Sequence, residues 1–279
     1  MSAYPMTTTE ELDRFGYAVI PGVISPQLRG SLRDAAEQLL ASNITRGRDR
    51  GLDGKDGFRG CLALNPSAFL PLLAPPRVLP VIVDALGPNI RILSSQIIVL
   101  PSISPDQPRN IRTPQRPGWH RDLYGVTADL GHEHTPRLAI KCGYYVTDIS
   151  PDAGLTMFLP GSHLRTVPPE IPAGEIDPPG AQTVELNKDG TDAVLFENRT
   201  WHAGGLNTSE RPRIAIMIQY GYRWLATVDD PAPELLDHPG LTDIERQLLG
   251  TPDRNPDGSV AEGRGSEPLY RWAEQQRAD

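Results

Sequence analysis

The N-terminal third of the chain carries apolar side chains at helical spacing, and helix-capping residues precede them. Thr7 or Thr8, followed three residues later by a glutamate, predicts a capping box and a short helix. Ser25 and Pro26 predict the N-cap and first turn of a second helix with one buried face. Residues 77–87 predict a third, buried helix that ends at a glycine. The buried face of the second helix comprises Leu28, Leu32, Ala35, Ala36 and Leu39.

From Arg91 onward the pattern becomes strand-like, with short apolar or alternating runs separated by glycine and proline. A first strand is expected earlier, at 17–20. Helices followed by many strands predict a mostly β protein with supporting helices around a double-stranded β-helix, or jelly-roll, core. The later strands are predicted near 91–100, 118–124, 137–147, 154–159, 192–197, 200–205 and 212–222.

The strand predicted at 212–222 has the clearest alternation. One face is apolar and is expected to pack on helices, whereas the other carries polar residues and is expected to line a cavity. The apolar face comprises Ile214, Ile216, Ile218 and Tyr220. The opposite face comprises Arg213, Ala215, Met217 and Gln219.

Length, charge and cysteine usage limit the possible classes of protein. We expect one domain over residues 1–279, with a core at 10–224 and a C-terminal extension at 225–279. The net charge is −8 without any Lys/Arg-rich run, so a nucleic-acid partner is not expected. Neither a signal peptide nor a membrane-length apolar stretch is evident, and the two cysteines lack zinc-site spacing. A cytoplasmic protein without a membrane partner is therefore expected.

Three long segments are expected to form loops, because they are rich in proline or nearly devoid of large apolar residues. The segments at 102–117 and 166–190 are candidates for a lid over a binding site. The segment at 251–267 is expected to be mobile.

The tripeptide His120-Arg121-Asp122 is the first chemical candidate. Residues i and i+2 of a strand point to the same side, so His120 and Asp122 can face one metal ion. His202, in a later strand-like segment, can supply a second imidazole. Two histidines and one carboxylate leave coordination positions open, as in non-haem iron(II) oxygenases. The tripeptide alone is weak evidence, since six histidines give about a one in three chance of an accidental match.

Several longer segments, taken together, resemble the phytanoyl-CoA dioxygenase family of Fe(II)- and 2-oxoglutarate-dependent enzymes. The resemblance covers residues 10–224, and its segments are FGYAVIPGVISPQLRGSLRDAAEQLL, LSSQIIVLPS, WHRDLYG, DAGLTMFLPGSH and WHAGGLNTSERPRIAIMIQY. In the last segment the family has a histidine and, eleven positions later, an arginine. These positions are His202 and Arg213 in this chain.

The resemblance implies a set of cofactors and site residues. Iron(II) would be held by His120, Asp122 and His202, and 2-oxoglutarate and O2 would be co-substrates. Arg213 would bind the remote carboxylate of 2-oxoglutarate, as suits a guanidinium that stays charged. Arg211 shares the strand face of Arg213, and only the family spacing separates the two.

Two weaker candidates for contact with the keto acid lie within predicted strands. Gln96 is polar in an apolar strand, and the family often has an inward polar residue there; the alternative is an edge amide that faces water. Lys141 is the single charge in LAIKCGYYV, and it either meets an anion or extends to solvent.

Aromatic residues flank the proposed ligands, and Tyr124 and Trp224 are the candidates for substrate contact. His132 and His134 form an HxH pair in a polar loop and are expected to lie at the surface. His163 is expected to be structural, and Cys142 is expected to be a small buried group.

The resemblance implies an enzyme that hydroxylates a small molecule after hydrogen-atom abstraction and releases succinate and CO2. The composition suggests bacterial secondary metabolism and natural-product biosynthesis, and no basic cluster suited to CoA phosphates occurs. Epimerisation, cyclisation or desaturation with the same cofactors is an alternative, whereas halogenation is disfavoured by the intact Asp122. Further alternatives are a jelly-roll metal protein that does not use 2-oxoglutarate and a non-catalytic small-molecule or sugar-binding jelly roll.

Overall fold

Two antiparallel β-sheets pack face to face in the computed structural model, which describes residues 6–50, 56–103, 118–229, 233–251, 257–259 and 267–278. The larger sheet has the strand order β1-β8-β5-β10-β4-β3-β2, and the smaller has the order β7-β6-β9. This double sheet with supporting helices confirms the predicted jelly-roll fold. The strands are β1 Tyr17–Ile20, β2 Arg48–Arg50, β3 Asp56–Arg59, β4 Ile90–Leu100, β5 Ala139–Tyr145, β6 Thr156–Phe158, β7 Gln182–Thr183, β8 Ala193–Glu197, β9 His202–Gly204 and β10 Arg213–Tyr222.

Most of the helices contribute buried residues to the hydrophobic cluster on the outer face of the larger sheet. Their bounds are α1 Thr8–Phe15, α2 Pro26–Ala41, α3 Cys61–Leu64, α4 Pro66–Phe69, α5 Leu79–Leu86, α6 Tyr124–Leu130, α7 Pro233–Leu236, α8 Asp243–Leu248 and α9 Pro268–Ala278. Short 3-10 turns occur at Leu70–Leu72 and Ser162–Leu164. None of the helices in the described ranges combines the length and apolarity that a membrane span requires.

Local sequence signals account for the N-terminal helices. The hydroxyl of Thr7 accepts from the backbone of Glu10 and completes the predicted capping box of α1. Ser25 caps α2 ahead of Pro26, as predicted. Helix α5 ends at Gly87, whose φ of 79° lies in the region that favours glycine. The buried residues of α2 are Leu32, Ala35, Ala36 and Leu39.

The two faces of β10 separate two hydrophobic clusters, as the alternation predicts. The outer-face residues Ile214, Ile216, Ile218 and Tyr220 belong to the large cluster with the helices. The inner-face residues Ala215 and Met217 pack between the sheets, in a cluster with Tyr145, Leu155, Phe158, Val184, Val194 and Phe196. Burial from both sides places the inner polar residues of β10 in a largely dry interior.

The strand predicted at 118–124 is wrong beyond its first residues. His120 forms a single bridge to His202, and the chain then bends and enters α6 at Tyr124. Leu123 turns the chain with a φ of 53°, a left-handed conformation that an alternating pattern does not indicate. Tertiary contacts of this segment therefore override its strand-like pattern.

The sequence pattern predicted no helix or strand after β10, where the structure has α7, α8 and α9. The buried residues Leu248 of α8 and Leu269 and Ala273 of α9 join the same large cluster as α2 and α5. In the segment expected to be mobile, residues 252–256 and 260–266 lie outside the described residues. Of the two lid candidates, the segment 102–117 lies outside the described residues from 104 onward. The segment 166–190 contains β7, which pairs with β6.

Candidate metal centre

His120 and His202 form a reciprocal backbone pair. The N–H of each donates to the carbonyl of the other at 3.0 Å. Directly opposed residues of an antiparallel pair project their side chains to the same face, so the two imidazoles lie side by side. Their ring centroids are 4.3 Å apart. The pairing at the edge of β9 thus joins two ligand candidates that are distant in sequence.

Backbone carbonyls fix the orientation of both imidazoles. Nδ1 of His120 donates to the carbonyl of Gly118 at 2.9 Å, and Nδ1 of His202 donates to that of Thr200 at 2.9 Å. A carbonyl only accepts, so each Nδ1 carries the proton and each Nε2 is directed away from it. Burial, followed by the influence of neighbouring His120, lowers the pKa of His202 to about 3, which keeps its ring neutral.

Asp122 is the third candidate metal ligand. One atom from each of His120, Asp122 and His202 forms a group in which all distances are within 4.8 Å. Oδ1 of Asp122 lies 3.9 Å from Nε2 of His202. Burial, the largest single cause, would raise the pKa of Asp122, but Lys141, His202 and His120 together outweigh it and hold the pKa below its usual range. Two imidazoles and one carboxylate with open positions suit Fe(II).

Leu123 follows the carboxylate ligand candidate in a strained conformation. Its φ of 53° is the one positive value among the described non-glycine residues. Such a conformation costs on the order of 1 kcal/mol or more, and the surrounding contacts must offset it. The strained turn directs the chain from Asp122 into α6, so it fixes the direction from which the carboxylate approaches the histidines.

Arg213 is a buried cation without a carboxylate partner among the described residues. Its Nη2 donates to the carbonyl of Gly154 at 3.1 Å, and its guanidinium lies 5.3 Å from the ring centroid of Tyr145. Its Nε has no hydrogen-bond partner. Burial lowers the pKa of Arg213, yet a guanidinium stays charged at neutral pH. A buried, unpaired guanidinium of this kind is suited to bind an anion.

Gly204 provides space between the histidines and Arg213. It lies two residues after His202 on β9, so both positions project to the same face. A Cβ at Gly204 would lie 3.8 Å from Nη2 of Arg213. Thr156 of β6 is the register partner of Gly204. The hydroxyl of Thr156 lies 2.5 Å from the hydroxyl of Tyr145. The interior therefore has the group of candidate metal ligands at one end and the buried guanidinium of Arg213 at the other.

The family model for phytanoyl-CoA dioxygenase matches residues 12–215. The chain belongs to the phytanoyl-CoA dioxygenase family. This membership confirms the resemblance found in the sequence and the prediction of an iron(II)- and 2-oxoglutarate-dependent enzyme.

Relatives of this phytanoyl-CoA dioxygenase family member occur in bacteria and fungi. An uncharacterised protein of Mycobacterium tuberculosis is 24% identical over 254 residues, which cover 86% of this chain and 85% of that protein. Dioxygenase cdmA of Talaromyces verruculosus is 35% identical over 101 residues, which cover 36% of this chain and 32% of that protein.

Two solved structures share the fold of this family member over nearly their whole length. The non-haem α-ketoglutarate-dependent epimerase SnoN from nogalamycin biosynthesis has a TM-score of 0.61 and 22% identity, covering 92% of this chain and 94% of that one. The carbocyclase SnoK from the same biosynthesis has a TM-score of 0.59 and 21% identity, covering 92% and 93%. A further structure of SnoN holds Fe3+, α-ketoglutarate and nogalamycin RO, and the first two agree with the cofactors expected from the sequence.

The structure separates two arginines, Arg211 and Arg213, that strand alternation alone placed on the same face. Arg211 is exposed, whereas Arg213 is 3% exposed. Gln96 is the register partner of Met217, so it lies on the inner face of β4, as expected for a residue near the keto acid. Lys141 also lies on an inner face, but its ammonium contacts Asp122 at 2.8 Å. The roles of Gln96 and Lys141 toward the keto acid stay predictions.

The predicted substrate residues are both exposed aromatic side chains. Tyr124, at the start of α6, is 78% exposed, and Trp224 is 64% exposed and stacks on Tyr222 with centroids 5.1 Å apart. Their substrate role stays a prediction. Sequence reasoning did not identify Gly204 or Tyr145, although the i+2 position of Gly204 relative to His202 would have indicated its face.

Three further histidines and both cysteines lie outside the group of candidate metal ligands. His134 is exposed, but His132 is partly buried, accepts from Arg121 Nη1 at 3.0 Å and stacks on Trp201. His163 donates from Nε2 to the carbonyl of Asp13 at 2.9 Å, in agreement with a structural role. The cysteines, Cys61 and Cys142, are buried free thiols.

Proposed function

We propose that the protein is an Fe(II)- and 2-oxoglutarate-dependent oxygenase that hydroxylates a small molecule. The observation that carries the proposal is the pairing of two features in one interior. His120, Asp122 and His202 form a metal-ligand group, and the unpaired guanidinium of Arg213 lies beyond Gly204 on the same side. A dicarboxylate with a metal-chelating end matches both features at once.

Different residues would bind the metal and the keto acid. The imidazoles and the carboxylate would hold iron on one face and leave the opposite face open. Arg213 would bind the remote carboxylate of 2-oxoglutarate by charge-assisted hydrogen bonds in an interior that excludes water. Gly204 leaves the space for the carbon chain of the keto acid. When bound, iron together with 2-oxoglutarate and O2 supplies the oxidant that removes a hydrogen atom from the substrate.

Aromatic side chains exclude water from one side of the site. Phe196 packs against the ring of His202 with centroids 4.7 Å apart, and Phe158 lies 6.2 Å from the same ring. Tyr17 stacks on Phe158 at 4.4 Å and extends this wall toward β1. A dry wall behind the metal ligands limits side reactions of a reactive oxidant, so oxidation would be directed to the open side.

The experiment that tests the proposal measures succinate release. After anaerobic reconstitution with Fe(II), the protein is mixed with 2-oxoglutarate and O2, with and without a panel of natural-product intermediates. Substrate-stimulated succinate is expected for the unaltered chain and is expected to be lost in Asp122→Ala and His202→Ala. His134→Ala is the matched control, because His134 is exposed and outside the ligand group. Full 2-oxoglutarate turnover in Asp122→Ala would overturn the assignment.

A second candidate is epimerisation or ring closure with the same cofactors. The fold similarity to the epimerase SnoN and the carbocyclase SnoK favours it, since both cover 92% of this chain. The product mass separates the reactions. Hydroxylation adds one oxygen atom, cyclisation or desaturation removes two hydrogen atoms, and epimerisation leaves the mass unchanged. We also propose bacterial secondary metabolism as the setting and a natural-product intermediate as the substrate.

A further inference from the structure

Lys141 lies next to the carboxylate of the metal-ligand group. Its Nζ is 2.8 Å from Oδ2 of Asp122, and the two side chains are 12% and 10% exposed. Lys141 lies on β5 opposite Phe196 of β8 and Gln219 of β10 in register, so its side chain projects into the interior between the sheets. This ion pair is therefore held by the sheet and largely removed from solvent.

The side chain of Lys141 is supported along the ring of Phe196. Its Nζ lies 5.8 Å from the centroid of that ring, and Phe196 in turn packs against His202. A single aromatic ring thus orients both the cation that contacts Asp122 and the imidazole that faces it. An ammonium fixed in this way has little freedom to leave the carboxylate.

The ion pair makes the two oxygens of Asp122 unequal. Oδ2 forms the ion pair with Lys141, whereas Oδ1 lies 3.9 Å from Nε2 of His202. A carboxylate that bound a metal through both oxygens would occupy two coordination positions. An octahedral ion with three protein ligand atoms keeps about three positions open, as a chelating keto acid and O2 together require.

We propose that Lys141 is a positioning residue that restricts Asp122 to metal binding through one oxygen. The proposal rests on the proposed function, because it concerns the same metal-ligand group. It differs from the keto-acid role considered for Lys141, since it requires no contact between the ammonium and 2-oxoglutarate. Groups that orient a ligand commonly matter to a metal site almost as much as the ligand itself.

The test counts water molecules on bound Mn(II) in the absence of any keto acid. Water-proton relaxation of the Mn(II)-loaded protein is expected to give about three exchangeable waters in the unaltered chain. In Lys141→Met, Asp122 is free to bind through both oxygens, and the count is expected to fall by about one. Lys141→Arg restores a cation and is expected to restore the count. Lys188→Met is the matched control, because Lys188 is exposed and lies outside the group of candidate metal ligands.

The outcomes separate this proposal from the proposed function. An unaltered chain that binds no Mn(II) would contradict the metal centre itself. A Lys141→Met protein that keeps the full water count but binds 2-oxoglutarate more weakly would contradict the positioning role and support direct contact with the keto acid. If Lys141→Met does not fold, Lys141→Gln takes its place, because its amide is too short to reach Oδ2. The expected loss of one water is the same, and an unchanged count overturns the proposal.

Discussion

The backbone N–H of Trp201 donates to the hydroxyl of Ser162 at 2.9 Å, and the carbonyl of the same serine accepts from Arg121 at 2.8 Å. Trp201 directly precedes His202, and Arg121 is the middle residue of the HxD tripeptide. Ser162 therefore contacts both segments that carry the metal-ligand candidates. The turn before it is anchored to the N-terminal region, because the N–H of Gly161 donates to the carbonyl of Phe15 at 2.8 Å.

Replacing Ser162 with alanine is expected to weaken metal binding as well as folding. The change leaves the N–H of Trp201 without its acceptor, which costs about 1 to 3 kcal/mol in the free energy of unfolding. It also removes the hydrogen bond that holds the backbone directly before His202, so a lower affinity for Mn(II) is expected. Urea unfolding and metal titration measure the two effects.

Ser25→Ala is the matched control for that variant. Ser25 caps α2 and lies outside the group of candidate metal ligands, and its loss costs about 1 kcal/mol. A comparable loss of stability without any change in metal affinity is expected. If both variants lowered the metal affinity equally, the effect of Ser162 would be one of general stability alone.

Arg213→Gln is expected to weaken 2-oxoglutarate binding without loss of metal. Hydrogen bonds to a charged group contribute about 1.5 to 3 kcal/mol, so the dissociation constant should rise by about 10- to 150-fold. The measurement is a 2-oxoglutarate titration of the metal-loaded protein. Arg211→Gln alters an exposed arginine two positions earlier and should leave the affinity unchanged. Equal effects of both changes would contradict the assignment of Arg213 as the keto-acid anchor.

Gly204→Val is expected to block the keto acid while sparing the metal. A Cβ at this position lies 3.8 Å from Nη2 of Arg213, an ordinary contact, so Gly204→Ala should fold and bind almost normally. The branched side chain of valine would fill the space between His202 and Arg213. Calorimetric titrations with Mn(II) and then 2-oxoglutarate separate the two effects. Undiminished 2-oxoglutarate binding by the valine variant would show that the keto acid does not occupy the space beside Gly204.

The buried imidazole of His202 predicts a pH-dependent stability of the metal-free protein. Burial, with His120 as a second cause, lowers its pKa to about 3, below the unfolded value of about 6.5. As the pH falls, the unfolded chain binds the proton first, so stability is full above about pH 6.5 and is lost between there and about pH 3. Between pH 7 and pH 5 this group alone should account for a loss of about 2 kcal/mol.

Urea unfolding in the presence of a chelator tests this dependence. His202→Gln has no proton to bind at that position, so the loss of stability between pH 7 and pH 5 should shrink by that amount. The exposed His134→Gln should keep the dependence of the unaltered chain. Parallel pH curves for all three proteins would argue that His202 remains able to take up a proton in the fold.

Local signals made much of the fold predictable. The caps at Thr7 and Ser25 act within a single turn of helix, and they are formed as expected. The alternation along β10 holds because both of its faces are buried against different clusters. The strand predicted at 118–124 failed because one bridge at His120 and the turn at Leu123 depend on contacts with distant parts of the chain.

The site was predictable in its residue types but not in its contacts. The i and i+2 spacing indicated His120 and Asp122, and the family resemblance indicated His202. The structure brings the three together. The partner of Lys141 could not be read from the sequence, because it depends on how β5 lies against the segment of Asp122. Burial is likewise a tertiary property, and it is what separates Arg213 from Arg211.

The reciprocal backbone pair of His120 and His202 has a consequence for folding. The two residues are distant in sequence, and loop closure must occur before their side chains can meet. A metal ion that binds both imidazoles adds its binding free energy to the closed pair and none to the open one. Amide hydrogen exchange at the His120 and His202 N–H groups should therefore slow when metal is present. Metal binding would thus stabilise the long-range contact that extends the edge of the smaller sheet.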